Sequence, residues 1–351
     1  MTAIVTQTDL KPLIQRVVDG HELSMIQAEQ ALDIIMTGNA TPSQVGAFLT
    51  ALRMRGETVE EIAGFASTMR RHALRVPLVD DGRPAVDTCG TGGDGANTFN
   101  VSTTAAFVVA GAGVRVAKHG NRSATSKCGS ADLLEGLGVA IAVSPERVGA
   151  CIDEAGIGFM FAQSYHPSMK FVGPVRKELG IRTIFNILGP VTNPAGVRRQ
   201  LIGVGNVELA RTLAKVLALL GCDRVLVVSS NDGLDEIAVS SHTTIVEHDN
   251  VTGELREATI HPADFGLEPR SLSEITGGDV ATNVAITRSI LSGDGGARRD
   301  ATLINAGAAL YAAGVAGSIG DGILAARDSI DSGRAAAALD RLIETSNRAL
   351  A

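Results

Sequence analysis

From Pro84 onward the chain alternates short apolar runs, bounded by glycine, with stretches of helical periodicity. This alternation limits the possible fold more than any other feature. The runs PAVDTC, VRVAK, GFMFA, QLIGVG, DRVLVV and TTIVEH are each of strand length. Apolar strands separated by helical patterns predict a largely parallel sheet, because parallel neighbours need crossover connections and are covered on both faces. The texture before Pro84 is different. Apolar residues recur at helical spacing in LSMIQAEQALDIIM and VGAFLTALRM, Thr41-Pro42 supplies an N-cap and a first-turn proline, and Gly56 marks a stop. Thr58 and Glu61 form a T-x-x-E capping box ahead of IAGFASTM.

The expected fold class is therefore α/β: a small N-terminal helical domain plus a larger α/β domain with a central, mainly parallel sheet flanked by helices. The segment KFVGPVRKELGIRTIFNILGPVTNP is helical in character and is expected to pack back onto the N-terminal helices, leaving a cleft between domains. The expected boundaries are 1–82, completed by an insert at about 168–192, for the helical domain, and 83–167 with 193–351 for the α/β domain. Ala-rich stretches after Asp300 predict tightly packed closing helices.

Composition narrows the function. With 31 basic and 38 acidic residues the net charge is -7, which argues against a nucleic-acid or anionic-membrane partner held by overall charge. Aromatic residues make up 3% and Trp is absent, so a base-stacking platform is not expected. A small polyanion needs only local positive groups and stays open. Cys89, Cys128, Cys151 and Cys222 are scattered without C-x-x-C, as expected of reduced thiols in a cytoplasmic protein. The N-terminal stretch shows no signal-peptide pattern, and no apolar run is long enough to span a membrane.

Three clusters carry candidate chemistry. The first, DTCGTGGDGANTFNVSTT (Asp87 to Thr104), places Gly90, Gly92, Gly93 and Gly95 after an expected strand and before an expected helix. It is neither G-x-G-x-x-G nor a P-loop. Either it is an ordinary turn, with Asn100, Ser102 and Thr103 as helix caps, or its N–H groups form an anion site. The second, KHGNRSATSKCGSADLLEGLG (Lys118 to Gly138), sets Lys118, Arg122 and Lys127 among hydroxyls. That pattern suits either a solvated loop or a phosphate ester. His119 there reads as a structural hydrogen-bonder. In the third, NDGLDEIAV (Asn231 to Val239), Asp235 and Glu236 follow an expected strand end. They are either hard oxygen ligands for magnesium or an acidic helix N-terminus. Tyr165, His166, Arg176 and Arg182 flank the helical insert, where a guanidinium fits either a substrate carboxylate or a surface ion pair.

In this order, GTGGD (Gly90 to Asp94), NVST (Asn100 to Thr103), KHGNRS (Lys118 to Ser123), GPVRKELGIRTIFNILGPVTNPA (Gly173 to Ala195), LDE (Leu234 to Glu236) and LINAGAALY (Leu303 to Tyr311) resemble the anthranilate phosphoribosyltransferase family over essentially the whole chain. The resemblance implies a magnesium-dependent glycosyltransferase. Such an enzyme joins anthranilate to phosphoribosyl diphosphate, giving N-(5-phosphoribosyl)anthranilate and diphosphate, the second step of tryptophan biosynthesis from chorismate. It also implies a cytoplasmic homodimer paired through the helical domains. The residues implied at the diphosphate sugar are Gly90, Gly93, Asp94, Thr98, Asn100, Val101, Ser102, Thr103, Lys118, His119, Gly120, Asn121, Arg122, Ser123, Ala124, Thr125, Ser126 and Ser130. Ser102, Asp235 and Glu236 are implied as Mg2+ ligands, and Gly90, Asn121 and Arg176 as anthranilate contacts. No covalent nucleophile is expected. The chain departs from its relatives at Ser229 and Ser230, where histidine or glycine is common, and at Gly205, where an aromatic is common. A pyrimidine nucleoside phosphorylase and a non-catalytic nucleic-acid-binding relative are the rival readings. The first needs no Asp-Glu magnesium pair, and the second should be basic with degraded motifs.

Overall fold

The structure is a computed structural model that describes residues 9–123 and 126–348. The chain divides into two compact units, Met1–Leu74 with Gln163–Pro194, and Arg75–Ala162 with Ala195–Ala351.

The first unit is helical. It holds α1 (Lys11–Val18), α2 (Met25–Met36), α3 (Pro42–Arg55) and α4 (Val59–His72). Side chains cap α2 to α4 in reciprocal boxes: Ser24 with Gln27, Thr41 with Gln44, and Thr58 with Glu61. Glu61 also ties helices together. Fully buried, it accepts from Leu23 N at 2.8 Å and Thr58 N at 2.9 Å and pairs with Arg55. The returning segment forms α8 (Ala162–Tyr165), a 3-10 turn (Pro167–Phe171), α9 (Gly173–Leu179) and α10 (Phe185–Leu188). Here α9 packs on α3 and α10 on α4. Arg70 Nε donates to Val191 O at 2.9 Å, and Leu74 N donates to Tyr165 O at 2.9 Å.

The second unit is built on a seven-stranded sheet of order β3-β2-β1-β4-β5-β6-β7. Its strands are β1 (Ala85–Gly90), β2 (Arg115–Gly120), β3 (Ile157–Phe161), β4 (Arg199–Gly203), β5 (Arg224–Ser230), β6 (Thr243–Asp249) and β7 (Glu254–Ile260). The first five are parallel, and β6 and β7 are antiparallel. Covering helices are α5 (Val101–Gly111), α6 (Ser130–Leu137), α7 (Pro145–Ala155), α11 (Val207–Leu219), α12 (Val280–Leu291), α13 (Ala297–Ala312), α14 (Ile319–Asp331) and α15 (Arg334–Asn347). Nearly every residue of α5 is buried, and it packs on β1, β2, α13 and α15. The chain leaves β1 toward β2 and β3 and returns as β4 on its other side. The switch point thus lies between β1 and β4, where Gly90 and Gly203 stand in register at the carboxyl ends.

Two observations differ from the sequence-based expectation. The first unit ends at Leu74 rather than residue 82, and the insert runs Gln163–Pro194. Arg115 accounts for the first shift. Buried at 6% exposure, it donates to Val79 O at 2.8 Å and to Arg83 O and pairs with Asp81, binding the connector to the second unit. Strand β7 was not expected. Almost all its residues are exposed, so no apolar alternation betrays it; a charged edge of this kind resists pairing with other chains.

His166 carries a pH prediction. It is buried beside Met36, Met69 and Met169, and burial pushes its imidazole pKa down to about 4. A base with a depressed folded pKa contributes stability that is complete above its unfolded value of about 6.5 and is lost as pH falls toward the folded value. The unfolding temperature should therefore drop between about pH 7 and about pH 4.5, and His166→Gln should shrink that drop. Thermal unfolding of both proteins at both pH values checks this; an undiminished drop in the variant assigns acid sensitivity elsewhere.

Candidate functional site

The loop after β1 takes its shape from its glycines. Gly92, Gly93 and Gly95 all have φ between 67° and 75°, a region closed to most side chains. Asn97, with φ 53°, is the one non-glycine of positive φ among the described residues. Phe99 N donates to Ile275 O at 3.0 Å and Gly277 N to Asn97 O at 2.9 Å, so the loop is pinned on its far side, with Thr98 bridging Thr276. Asn100 precedes α5 but does not cap it. Its Nδ2 donates to Cys128 O at 3.1 Å, linking the first loop to the second, and its buried Oδ1 has no partner among the described residues. Val101 and Thr103 point into the core, so only their main chain is available to a ligand.

Asp235 sits over a notch made by two glycines. A methyl at Gly90 would overlap Asp235 Oδ2, and one at Gly203 would overlap the Asp235 carbonyl. The carboxylate also accepts from Gly92 N at 2.6 Å. Glu236 accepts from Ser102 N at 3.1 Å in the first turn of α5, where the helix dipole favours negative charge. No helix forms within residues 231–242, which removes the reading of this pair as an acidic helix start. Burial first and Asp94 second raise the Asp235 pKa to about 6; burial first and Asp235 second raise that of Glu236 to about 8.

Beneath the pair lies a buried cation. Lys118, at the end of β2, donates to Thr88 O and lies 3.4 Å from Ser102 Oγ. Burial lowers its pKa, opposed by Asp87, Cys89 and Glu236. Asp87 is fully buried and accepts from His119 N at 3.2 Å, so His119 serves here through its main chain. Cys89 stands nearby with its thiol pKa pushed well above the ordinary value by burial and then by Asp87.

The second loop is packed against α6. A side chain at Gly120 would overlap Ser130 Oγ, which donates to Asn121 O at 3.1 Å. Ser123 Oγ bonds Ser126 Oγ at 2.7 Å, and Asp132 accepts from Ser123 N at 3.1 Å and Gly129 N at 2.9 Å. Arg122 is committed to carboxylates: Asp132 at 2.9 Å and Glu135 at 2.5 Å, with its guanidinium 5.4 Å from the Phe161 ring centre. Ala124 and Thr125 lie outside the described residues.

Arg176 belongs to the helical unit. Its guanidinium lies 5.4 Å from the Phe185 ring centre, burial lowers its pKa, and among the described residues it has no carboxylate partner. Tyr165 and His166 are buried and Arg182 is exposed. Residues that sequence reasoning passed over are Asp87, Thr88 and Gly203. Gly203 was visible only as a strand end.

The donor set suits a hard divalent cation: a hydroxyl, Ser102, and two carboxylates whose pKa values are raised by burial first and by a neighbouring carboxylate second. Among the described residues no three His, Cys, Asp or Glu side chains form a complete metal cage.

Residues 82–336 match the glycosyl transferase family a/b domain, and residues 11–73 match that family's helical bundle domain. Anthranilate phosphoribosyltransferase of Roseiflexus castenholzii is 53% identical over 339 residues, 96% of this chain and 98% of that protein. The enzyme of Methanocorpusculum labreanum is 54% identical over 330 residues, 94% and 96% of the two chains. The crystal structure of the Thermus thermophilus enzyme superposes with a TM-score of 0.89 at 41% identity, covering 95% of this chain and 99% of that one. The Saccharomyces cerevisiae enzyme in complex with PRPP and Mg gives 0.87 at 31% identity, covering 96% and 97%. The chain belongs to the anthranilate phosphoribosyltransferase family.

Proposed function

We propose that this protein transfers the phosphoribosyl group of 5-phosphoribosyl 1-diphosphate to the amine of anthranilate, releasing diphosphate. The observation that carries this reading is the Asp235–Glu236 pair, held over the Gly90–Gly203 notch beside Ser102 and Lys118. Family membership supplies the substrates.

In this reading Ser102, Asp235 and Glu236 would hold magnesium, which when bound would supply positive charge to the diphosphate. The main chain of the Gly90 to Asp94 loop and the start of α5 border the substrate, with the N–H groups of Thr91, Gly92 and Ser102 already donating to Gly203 O, Asp235 and Glu236. Lys118 contributes positive charge without being free to swing, since Thr88 O and Ser102 hold its ammonium. The hydroxyls of Ser123, Ser126 and Ser130, with the main chain of Gly120 and Asn121, complete the phosphate contacts. Arg176 takes the anthranilate carboxylate. Its lack of a carboxylate partner supports this, as does its partial burial against Phe185, which makes a new ion pair stronger. The amine is a weak nucleophile, so its placement beside C1 contributes more than its activation.

We also propose a homodimer paired through the helical unit, where Val18, Ile26 and Met54 are 61%, 67% and 84% exposed. No helix among the described residues is long and apolar enough to cross a membrane, and a cytoplasmic location fits the substrates.

Purified protein mixed with anthranilate, phosphoribosyl diphosphate and magnesium should consume anthranilate fluorescence, and a chelator should stop it. Persistent fluorescence across pH and magnesium concentration sinks the assignment. Phosphorolysis of a pyrimidine nucleoside that survives chelation favours the phosphorylase-like reading.

Arg176→Ala should raise KM for anthranilate by roughly 10-fold or more, the worth of a charged hydrogen-bonded pair, and leave KM for phosphoribosyl diphosphate nearly unchanged. Steady-state kinetics with each substrate varied separates the two; an unaltered anthranilate KM removes Arg176 from the carboxylate role.

Gly203→Ala forces the Asp235 main chain to move. Its kcat should fall by about 100-fold, the usual consequence of an ångström of misplacement, with the protein still folded by circular dichroism. Near-normal kcat in that variant would mean that Asp235 tolerates displacement and is not a ligand.

A further inference from the structure

Asp235 and Glu236 lie between β5 and β6, on a segment without helix or strand from residue 231 to 242. Such a segment has no ladder to fix it, and its buried main-chain groups need partners from elsewhere. Three side chains supply them. Ser230 Oγ accepts from Leu234 N at 2.8 Å, and Thr243 Oγ1 accepts from Ala238 N at 3.0 Å. Asn305 serves Ile237 on both sides: Oδ1 accepts from Ile237 N at 2.9 Å, and Nδ2 donates to Ile237 O at 2.9 Å.

Asn305 is 1% exposed and sits inside the Ala-rich helix α13, where asparagine is a poor choice for helix formation. Its second Nδ2 hydrogen donates to Ala301 O at 2.9 Å, which fixes the carboxamide to its own helix. Helix α13 in turn packs on β1 and β4, the strands whose terminal glycines form the notch under Asp235. The helix that supports the notch therefore also grips the residue directly after Glu236.

We propose that Asn305 is a positioning residue for the magnesium ligands: its carboxamide clamps the Ile237 main chain and so sets the height of Asp235 and Glu236 over the glycine notch. This rests on the reading that those two carboxylates hold the metal. Groups that orient metal ligands from behind typically control metal affinity by 10- to 100-fold. Asn305→Asp keeps the acceptor for Ile237 N but loses the donor to Ile237 O. Asn305→Ser shortens the reach altogether.

The test uses Mn2+ as probe, its binding to the full chain with phosphoribosyl diphosphate followed by electron paramagnetic resonance, without anthranilate. Both variants should weaken Mn2+ binding by roughly 10-fold or more, and the Mg2+ concentration for half-maximal activity should rise in parallel. Ser329→Ala is the reference for simple loss of a buried hydrogen bond. Ser329 Oγ donates to Val108 O at 2.8 Å, remote in sequence from all these residues. It should lower the unfolding temperature and leave Mn2+ affinity within about twofold. Folded Asn305→Asp or Asn305→Ser protein that binds Mn2+ as the parent does overturns the proposal. Failure of both variants to fold also overturns it, because Asn305 would then serve the fold. Asp235→Asn and Glu236→Gln run alongside; if they too bind Mn2+ like the parent, the metal reading itself has failed.

Discussion

Two like charges on adjacent residues, withdrawn from water, are the constraint on which the α/β unit turns. At the separations of neighbouring side chains their repulsion is small in water and several-fold larger at a shielded site. The protein offsets it only in part. Gly92 N–H faces Asp235, the first turn of α5 faces Glu236, and Lys118 lies beneath. Burial is the first cause of the raised pKa values on both carboxyl groups, with the charge of Asp94 second for Asp235 and that of Asp235 second for Glu236. The glycine notch gives that pair its room. Asp235 fits against β1 and β4 only because Gly90 and Gly203 have no side chains.

An acidic chain that binds a polyanion needs its positive potential to be local. In the first loop the left-handed glycines and the helix start present peptide dipoles, which add no net charge, although Gly92 N and Ser102 N face Asp235 and Glu236. The side-chain cations are few and restrained. Lys118 is buried and doubly held, and Arg122 is spent on Asp132 and Glu135. Recognition by peptide dipoles depends on shape, so the loops must be stiff. The far-side bonds of Phe99 and Gly277, the Asn100 tie to Cys128, and the Ser130 bond to Asn121 provide that stiffness.

Much of this was legible in the sequence, for identifiable reasons. Six strands announced themselves as apolar runs because both of their faces are covered, and the caps of α3 and α4 were readable as local chemistry. Strand β7 was hidden because its exposed, charged residues carry no period. The unit boundary was hidden because it depends on Arg115 reaching back to Val79 and Arg83, whereas the change of texture marks only where the sheet begins. At the site, the motifs named two loops that the structure ties together through Asn100 and Cys128. They did not distinguish residues that offer side chains, such as Ser102, from those that offer only main chain, such as Val101 and Thr103. That distinction depends on the rotation of α5, which local sequence does not specify.

Ser230 shows how a departure from relatives becomes intelligible in three dimensions. As a strand-end serine in place of a common histidine or glycine it looks like drift. Its hydroxyl, however, accepts from Leu234 N at 2.8 Å and lies 2.6 Å from Asp232 Oδ1, closing the turn that delivers Asp235. Thr243 holds the other end of the same segment. An irregular stretch thus gains the fixity of a strand from three side chains on three separate elements, β5, β6 and α13. Irregular backbone can follow the notch where a regular strand would carry Asp235 past it, and side-chain clamps then restore the rigidity that the missing ladder would have supplied.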